Sequence, residues 1–326
     1  LTPALQTVKP DTILHELSEL WIGMTRPEPE ESADGNSSGI LRACAMTLIV
    51  FVDDEEDSKA LGETLIRIMR THPNRTILVR LRESPGSLES RVFAPCWTPT
   101  GHQRQICCEQ VELSVSMNRL TDIPAIVLPL EAPDVPRVIW FRSARIDTAA
   151  DIAELLALGD KIIVDSARPG SPAFADMRVL AGAGYIVADL AWTRLTRIRE
   201  LLAQLLDGRD LADIRTATIE YSGSEPSPEV KYMQAWLRSE MPGAVVDVRR
   251  ADGVGHGEIS AIHIDPSLHV NVASNCADYE TGSLRQRANL GECEERDLLS
   301  EELSIMTHDP VFGRALQRMT AWTPRS

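Results

Sequence analysis

The stretch RVIWFRSARIDTAADIAELLALGDKIIVDSARPGSPAFADMRVLAGAGYIVADLAWTRLTRIRELLAQLL, from Arg137 to Leu206, decides the fold. It holds three short apolar runs, Arg137–Arg142, Lys161–Asp165 and Tyr185–Asp189, each of strand length. Each run is followed by a longer segment of helical periodicity: Thr148–Leu158, Pro172–Ala183 and Leu195–Leu206. The last carries Leu195, Ile198, Leu201, Leu202, Leu205 and Leu206 as a broad amphipathic stripe. Strands alternating with helices imply right-handed crossovers and a mostly parallel sheet flanked by helices.

Toward the N-terminus the same texture continues. Met46–Val52 is a continuous apolar run that ends in Asp53-Asp54, as a buried strand does at a strand–helix turn. Ser58–Arg70 follows as a helix with Leu61, Leu65, Ile68 and Met69 on one face, and Arg75–Arg82 reads as a second strand. Arg91–Ser116 reads as a strand pair around Pro99-Thr100-Gly101, and Ile123–Pro129 fits either helix or strand. Asp11–Met24 is a helix by its Leu14, Leu17, Trp21 and Met24 spacing, and the acidic Pro27–Gly39 stretch reads as a loop.

Beyond Asp207-Gly208 the pattern changes to strands with flanking helices. Asp213–Tyr221, Ala244–Arg249, Ile259–Ile264 and Val270–Ser274 are the strands; Pro226–Met241, Leu298–Met306 and Val311–Met319 are the helices. The fold class expected is therefore α/β: an N-terminal domain over residues 1–208 and a smaller α+β C-terminal domain over residues 209–326.

Composition narrows the function. The 326 residues suit two domains or one large one, and 43% apolar with 25% charged residues is globular. The 33 basic against 48 acidic side chains give a net charge of -15, which disfavours nucleic acid and anionic membranes as partners. The apolar run Ala43–Val52 is about half of a membrane span. No signal peptide is read at the start, so a cytoplasmic protein is expected, and six cysteines are too few for a disulfide scaffold. Mostly buried thiols are the expectation that follows.

Motif chemistry is sparse. The chain has no G-x-x-x-x-G-K-[ST], no H-E-x-x-H, no C-x-x-C and no G-x-S-x-G set as an elbow between a strand and a helix. Gly253-Val254-Gly255-His256-Gly257 precedes a strand, so it lacks the helix N-terminus that holds a pyrophosphate. The turn Val52-Asp53-Asp54-Glu55-Glu56 sets four carboxylates and no glycine where a dinucleotide needs close backbone approach. Cys96, His102, Cys107 and Cys108 lie close in sequence, but neighbours on a strand face opposite ways, which disfavours a shared zinc. His263 and His269 read as partly exposed strand residues, and Ser166 has no histidine near it in sequence. No cofactor, no metal and no catalytic centre are expected.

The informative feature is the row of strand ends. The three strands finish at Arg142, at Asp165-Ser166-Ala167-Arg168 and at Asp189-Leu190-Ala191-Trp192-Thr193-Arg194, with Arg145 near the first and Arg197 and Arg199 one turn beyond the last. Carboxyl ends of parallel strands form the edge where ligands bind. Two readings stay open: Asp165, Asp189 and the arginines pair internally and cap the sheet, or they form an anion site or a protein hot spot centred on Trp192.

These segments carry a family resemblance. Met46–Asp54, the DSAR segment Asp165–Arg168 within Ile162–Arg168, Asp189–Leu195 and Arg199–Gln204 resemble the OpcA family, the glucose-6-phosphate dehydrogenase assembly proteins of cyanobacteria and actinobacteria. The chain departs from the family at Trp140-Phe141 and at Arg197-Ile198. The resemblance implies a non-catalytic protein of the oxidative pentose phosphate pathway that binds glucose-6-phosphate dehydrogenase and favours its active oligomer. Such an allosteric activator acts by binding the active state better than the inactive one. Trp192, Arg194, Arg168, Arg142, Arg199, Asp165 and Asp189 are the candidate partner-binding or anion-binding residues. The resemblance also brings redox control into scope, with Cys96, Cys107, Cys108 and Cys276 as candidates. A Cys107–Cys108 bridge is disfavoured by strand geometry, and pairing between cysteines distant in sequence is expected instead. The alternative function is an enzyme or sensor that binds a sugar phosphate at the same arginine-rich edge.

Overall fold

A computed structural model describes residues 9–25, 39–86, 88–101, 104–146, 149–170, 174–251, 256–265, 268–273 and 275–319. His102, nearly all of the Pro27–Gly39 stretch, Gly253-Val254-Gly255, Pro266 and Ser274 lie outside the described residues. The chain divides into two compact units: Leu1–Val164 with Arg168–Pro172, and Asp165–Ala167 with Ala173–Ser326. This division falls earlier in the chain than the change of texture at Asp207–Asp210.

In the first unit the strands are β1 (Ile40–Arg42), β2 (Met46–Asp53), β3 (Asn74–Arg82), β4 (Glu89–Phe93), β5 (Cys96–Trp97), β6 (Gln105–Cys107), β7 (Glu109–Ser116), β8 (Arg137–Phe141) and β9 (Lys161–Val164). The helices are α1 (Pro10–Thr25), α2 (Ser58–Thr71), α3 (Ile123–Val127) and α4 (Ala149–Leu155). The main sheet runs β9-β8-β2-β3-β7-β4. All neighbours are parallel except β4, which lies antiparallel on β7. Numbered from β2 as the first strand of the parallel set, the order is 3-2-1-4-5, that of a doubly wound dinucleotide-binding fold. Leu48, Ile49, Val50, Phe51 and Val52 of β2 are all buried, as a strand covered on both faces requires. Leu61, Leu65, Ile68 and Met69 of α2 are buried together, as their spacing predicts.

The expected strand pair over Arg91–Ser116 is a more complex excursion. β4 pairs with β7, while β5 and β6 leave the main sheet and join β1 in a three-stranded ribbon. Runs of two or three residues are too short to carry a period. Ile123–Val127 is a helix, which resolves the alternative left by its length.

The second unit contains α5 (Phe174–Gly182), β10 (Ile186–Asp189), α6 (Leu190–Thr193), α7 (Thr196–Leu206), β11 (Thr216–Tyr221), α8 (Pro228–Glu240), β12 (Val245–Arg250), β13 (Ile259–Ile264), β14 (Leu268–Ala273), β15 (Cys276–Thr281), β16 (Leu284–Asn289), α9 (Glu295–Leu303) and α10 (Pro310–Arg318). Its sheet runs β12-β11-β13-β14-β15-β16. β11 and β12 are parallel around α8, and the rest form an antiparallel meander. One face buries Ile219, Val246, Ile262, Ile264, Val270 and Ala277. The other face carries Glu220, His263, His269, Asp278, Glu280, Arg285 and Arg287, by the registers of the ladder. Strands β15 and β16 were not legible as apolar runs, because their exposed positions are polar. The turn Gly282-Ser283, with Gly282 at φ +61°, is the signal that marks this hairpin.

Candidate functional site

The order of the first sheet reverses between β2 and β8, and in a doubly wound fold a nucleotide sits beyond the carboxyl ends there. In this chain that point is filled by its own ion pairs. Asp53 ends β2; its Oδ1 accepts from Ser143 Oγ and its Oδ2 from the Ala144 amide at 3.0 Å. Arg145 lies 3.2 Å from Asp53 Oδ1 and holds Glu55 with both guanidinium nitrogens, at 3.0 and 2.9 Å. That contact pulls the Glu55 carboxyl below the usual range and raises the Arg145 guanidinium. Glu56 accepts from Arg142 on one oxygen and from Arg168 on the other, the latter at 3.2 Å.

The helix end is occupied too. Asp57 caps α2, its Oδ1 accepting from the Lys59 amide at 2.8 Å and the Ala60 amide at 3.4 Å. Those amides are the donors that a dinucleotide phosphate would use. An incoming phosphate would meet Asp53, Asp54, Glu55, Glu56 and Asp57 in succession. The residues present do not fit a dinucleotide.

In the second unit the strand-end residues turn inward. Asp165 is 2% exposed and binds Arg194 through two bonds, of 2.7 and 2.6 Å; Glu229 stands 3.4 Å from the same guanidinium. Asp189 is fully buried. Its Oδ1 accepts from the Ser166 amide at 3.0 Å and the Ala191 amide at 2.9 Å, and its Oδ2 from the Tyr232 hydroxyl at 2.7 Å. Burial outweighs these bonds and pushes the carboxyl up to about 6; burial likewise raises the Tyr232 hydroxyl.

Trp192 is 3% exposed and donates Nε1 to Asp309 at 3.2 Å. Its ring stands at 5.8 Å from Tyr232 and 5.7 Å from Phe312, with the Arg199 guanidinium 3.6 Å above it. Burial lowers the Arg199 guanidinium to about 10. Thr193 Oγ1 donates to Glu302 at 2.7 Å.

Of the two readings that the sequence leaves open, this geometry has the internal pairing. Trp192 is a core residue, Arg194 is spent on Asp165, and Arg142 and Arg168 are spent on Glu56. The physical reason is that a carboxylate of another strand end lies within reach of each arginine: Glu56, beyond β2, of Arg142 and Arg168, and Asp165, beyond β9, of Arg194. Arg197, at the helix surface, pairs with Glu200 at 3.1 Å. Sequence reading missed Tyr232 and Asp309. Tyr232 lies between the buried Val230 and Met233 of α8, and Asp309 was legible as a cap before Pro310.

Of the redox candidates, Cys96 and Cys107 stand opposite each other in β5 and β6 and form a disulfide across eleven positions of sequence. Cys108 is buried and its thiol is pushed up to about 11. Cys276 is half-buried, while Cys44 and Cys293 are exposed, so the expectation of mostly buried thiols fails. Ser166 Oγ is buried without a hydrogen-bond partner among the described residues. His263 and His269 face each other across β13 and β14, their Nδ1 atoms 2.8 Å apart. Among the described residues no group of three or more His, Cys, Asp or Glu side chains could hold a metal. No helix among them is long and apolar enough to cross a membrane.

The fold and this geometry define a class: a doubly wound α/β unit with its nucleotide crevice closed by carboxylates, followed by a unit with an open-faced sheet. Residues 66–180 match the family described as the glucose-6-phosphate dehydrogenase subunit N-terminal domain, and residues 185–316 match its C-terminal domain. The chain belongs to this family, the OpcA proteins. A putative OxPP cycle protein OpcA of Synechocystis is 26% identical over 195 residues, 57% of this chain and 41% of that protein. The protein of the same name in Nostoc punctiforme is 28% identical over 164 residues, 48% of this chain and 35% of that protein. The matches thus span less than half the length of these relatives. Among solved structures, a 3-ketoreductase from Actinomadura kijaniata in complex with NADP is similar at a TM-score of 0.47 and 9% identity, over 84% of this chain and 95% of that one. Biliverdin reductase from Synechocystis is similar at 0.46 and 9% identity, over 83% and 96%. Likeness at this level transfers no chemistry.

Proposed function

We propose that the chain is a non-catalytic partner of glucose-6-phosphate dehydrogenase, acting in the cytoplasm, which binds the enzyme and favours its active oligomer. The observation that carries this reading is the pair of family matches, whose descriptions name subunit domains of that dehydrogenase. The crevice supports it from the side of chemistry. A fold built to hold a dinucleotide has Asp53, Glu56 and Asp57 where phosphate would sit, so hydride chemistry has no seat there. Activation then follows from linkage: a partner that binds the active oligomer a hundredfold better shifts its population by about 2.7 kcal/mol.

The sugar-phosphate alternative meets the same obstacle, since Arg142, Arg168 and Arg194 would have to leave carboxylates to reach a ligand. The test is steady-state kinetics of the purified dehydrogenase titrated with the chain, beside assays of the chain alone with glucose-6-phosphate and NADP. The expected result is a saturable rise in dehydrogenase activity and no turnover by the chain alone. Turnover without the dehydrogenase, or no effect on it, overturns the reading.

A further inference from the structure

Among the described residues of the second unit, α5, the start of β10 and α10 enclose a cleft of about 320 Å³. Its floor is apolar: Val187, Phe312 and Leu316. Two glycines, Gly182 and Gly313, line it, and a Cβ added to either would meet nothing within 4 Å. The open space is therefore bounded by backbone rather than filled by side chains.

The rim is cationic. Arg178 and Arg314 supply its charge, and His308 also borders the cleft. Arg178 and His308 have no hydrogen-bond or ion-pair partner among the described residues, and Arg314 reaches only Glu240, at 3.4 Å. The one carboxylate of the lining, Asp309, is engaged within the chain. Its Oδ1 accepts from the Val311 and Phe312 amides at 2.8 and 3.1 Å, and its Oδ2 from Trp192. On a chain of net charge -15, where the strand-end arginines are all paired, this is a cationic rim over an apolar floor.

We propose that this cleft binds a small organic anion: a phosphate or carboxylate group held by Arg178, Arg314 and His308, joined to an apolar body of ring size that lies on Phe312 and Leu316. Guanidinium forks bind both anions through paired hydrogen bonds, and apolar floors with a few convergent polar groups are the usual make-up of small-molecule sites. The volume is at the lower end for such sites, so the ligand is smaller than a dinucleotide. The inference stands apart from the dehydrogenase reading and is tested without the enzyme.

The test is isothermal titration of the full chain with four probes: phenyl phosphate, benzoate, inorganic phosphate and phenol. Phenyl phosphate or benzoate should bind at least tenfold tighter than either inorganic phosphate or phenol, and which of the two leads identifies the anion. Arg178→Glu should weaken that binding at least tenfold by reversing the rim charge. Gly313→Met should do the same by filling the floor, in a helix that accepts Met better than Gly. Melting curves check that each variant is folded. No saturable binding of phenyl phosphate or benzoate overturns the proposal, as does binding of inorganic phosphate or phenol as tight as theirs. Binding unchanged in a folded Arg178→Glu or Gly313→Met protein overturns it as well.

Discussion

The two units use the same residue types at their strand ends and bury them to different depths. At the end of β2, Asp53 and Glu56 pair with Arg145, Arg142 and Arg168 in a site that water still reaches. In the second unit Asp165 and Asp189 are buried, the first against Arg194 and the second against Tyr232. Sequence chemistry is alike; dielectric is not. A pair in water gains little and is screened by salt, whereas a buried pair cannot lose one partner without stranding the other. The first cluster therefore closes a crevice, and the second fastens a core.

The largest expected effects break the second cluster. Asp165→Ala leaves the Arg194 guanidinium without its bidentate partner and should lower unfolding stability by about 3–5 kcal/mol. Trp192→Ala opens a cavity among Tyr232, Phe312 and Arg199 and should cost about the same. Urea unfolding curves read both, and a loss under about 1 kcal/mol would mean these residues are not packed as described.

Asp189 sharpens the comparison through pH. Its carboxyl is raised from an ordinary 3.8 to about 6, so the folded state holds a proton that the unfolded state releases. Below pH 4 both states are protonated and burial carries no charge penalty. As pH rises toward 6 the unfolded state is favoured progressively, by up to about 3 kcal/mol in all. Asp189→Asn has no charge to bury and keeps an acceptor for the Ser166 and Ala191 amides. Its stability relative to the native chain should climb between about pH 4 and 6 and then level off. A difference that is flat across that window would contradict the buried, ionising Asp189.

Smaller effects belong to the first cluster. Glu56→Gln removes the shared charge between Arg142 and Arg168 and should cost about 1 kcal/mol, shrinking in high salt. Glu55→Ala, at a side chain 72% exposed, should leave the unfolding midpoint unchanged within error. A salt-insensitive Glu56→Gln penalty would mean that the crevice is as dry as the second cluster.

How much of this was legible varies by element. The main parallel strands were, since Leu48–Val52 and Ile162–Val164 are apolar throughout and a covered strand must be. The acidic turn after β2 was legible in the four carboxylates from Asp53 to Glu56, whereas Asp57 as the cap of α2 was not read. The hairpin β15–β16 was not, because its open-faced positions are polar and only Gly282-Ser283 marks it. Nor was the depth of Trp192. A Trp followed by Arg at a strand end reads as an anchor for a partner; only Asp309, Phe312 and Tyr232, more than thirty positions away, show that the anchor holds this chain to itself.

On the proposed function, the chain works by binding the dehydrogenase and not by chemistry of its own. Mass photometry of the dehydrogenase with and without a saturating excess of the chain tests it most directly. The expected result is a new species of summed mass and a shift of the remaining enzyme toward its active oligomer. Unchanged mass distributions for both proteins at every ratio would contradict it.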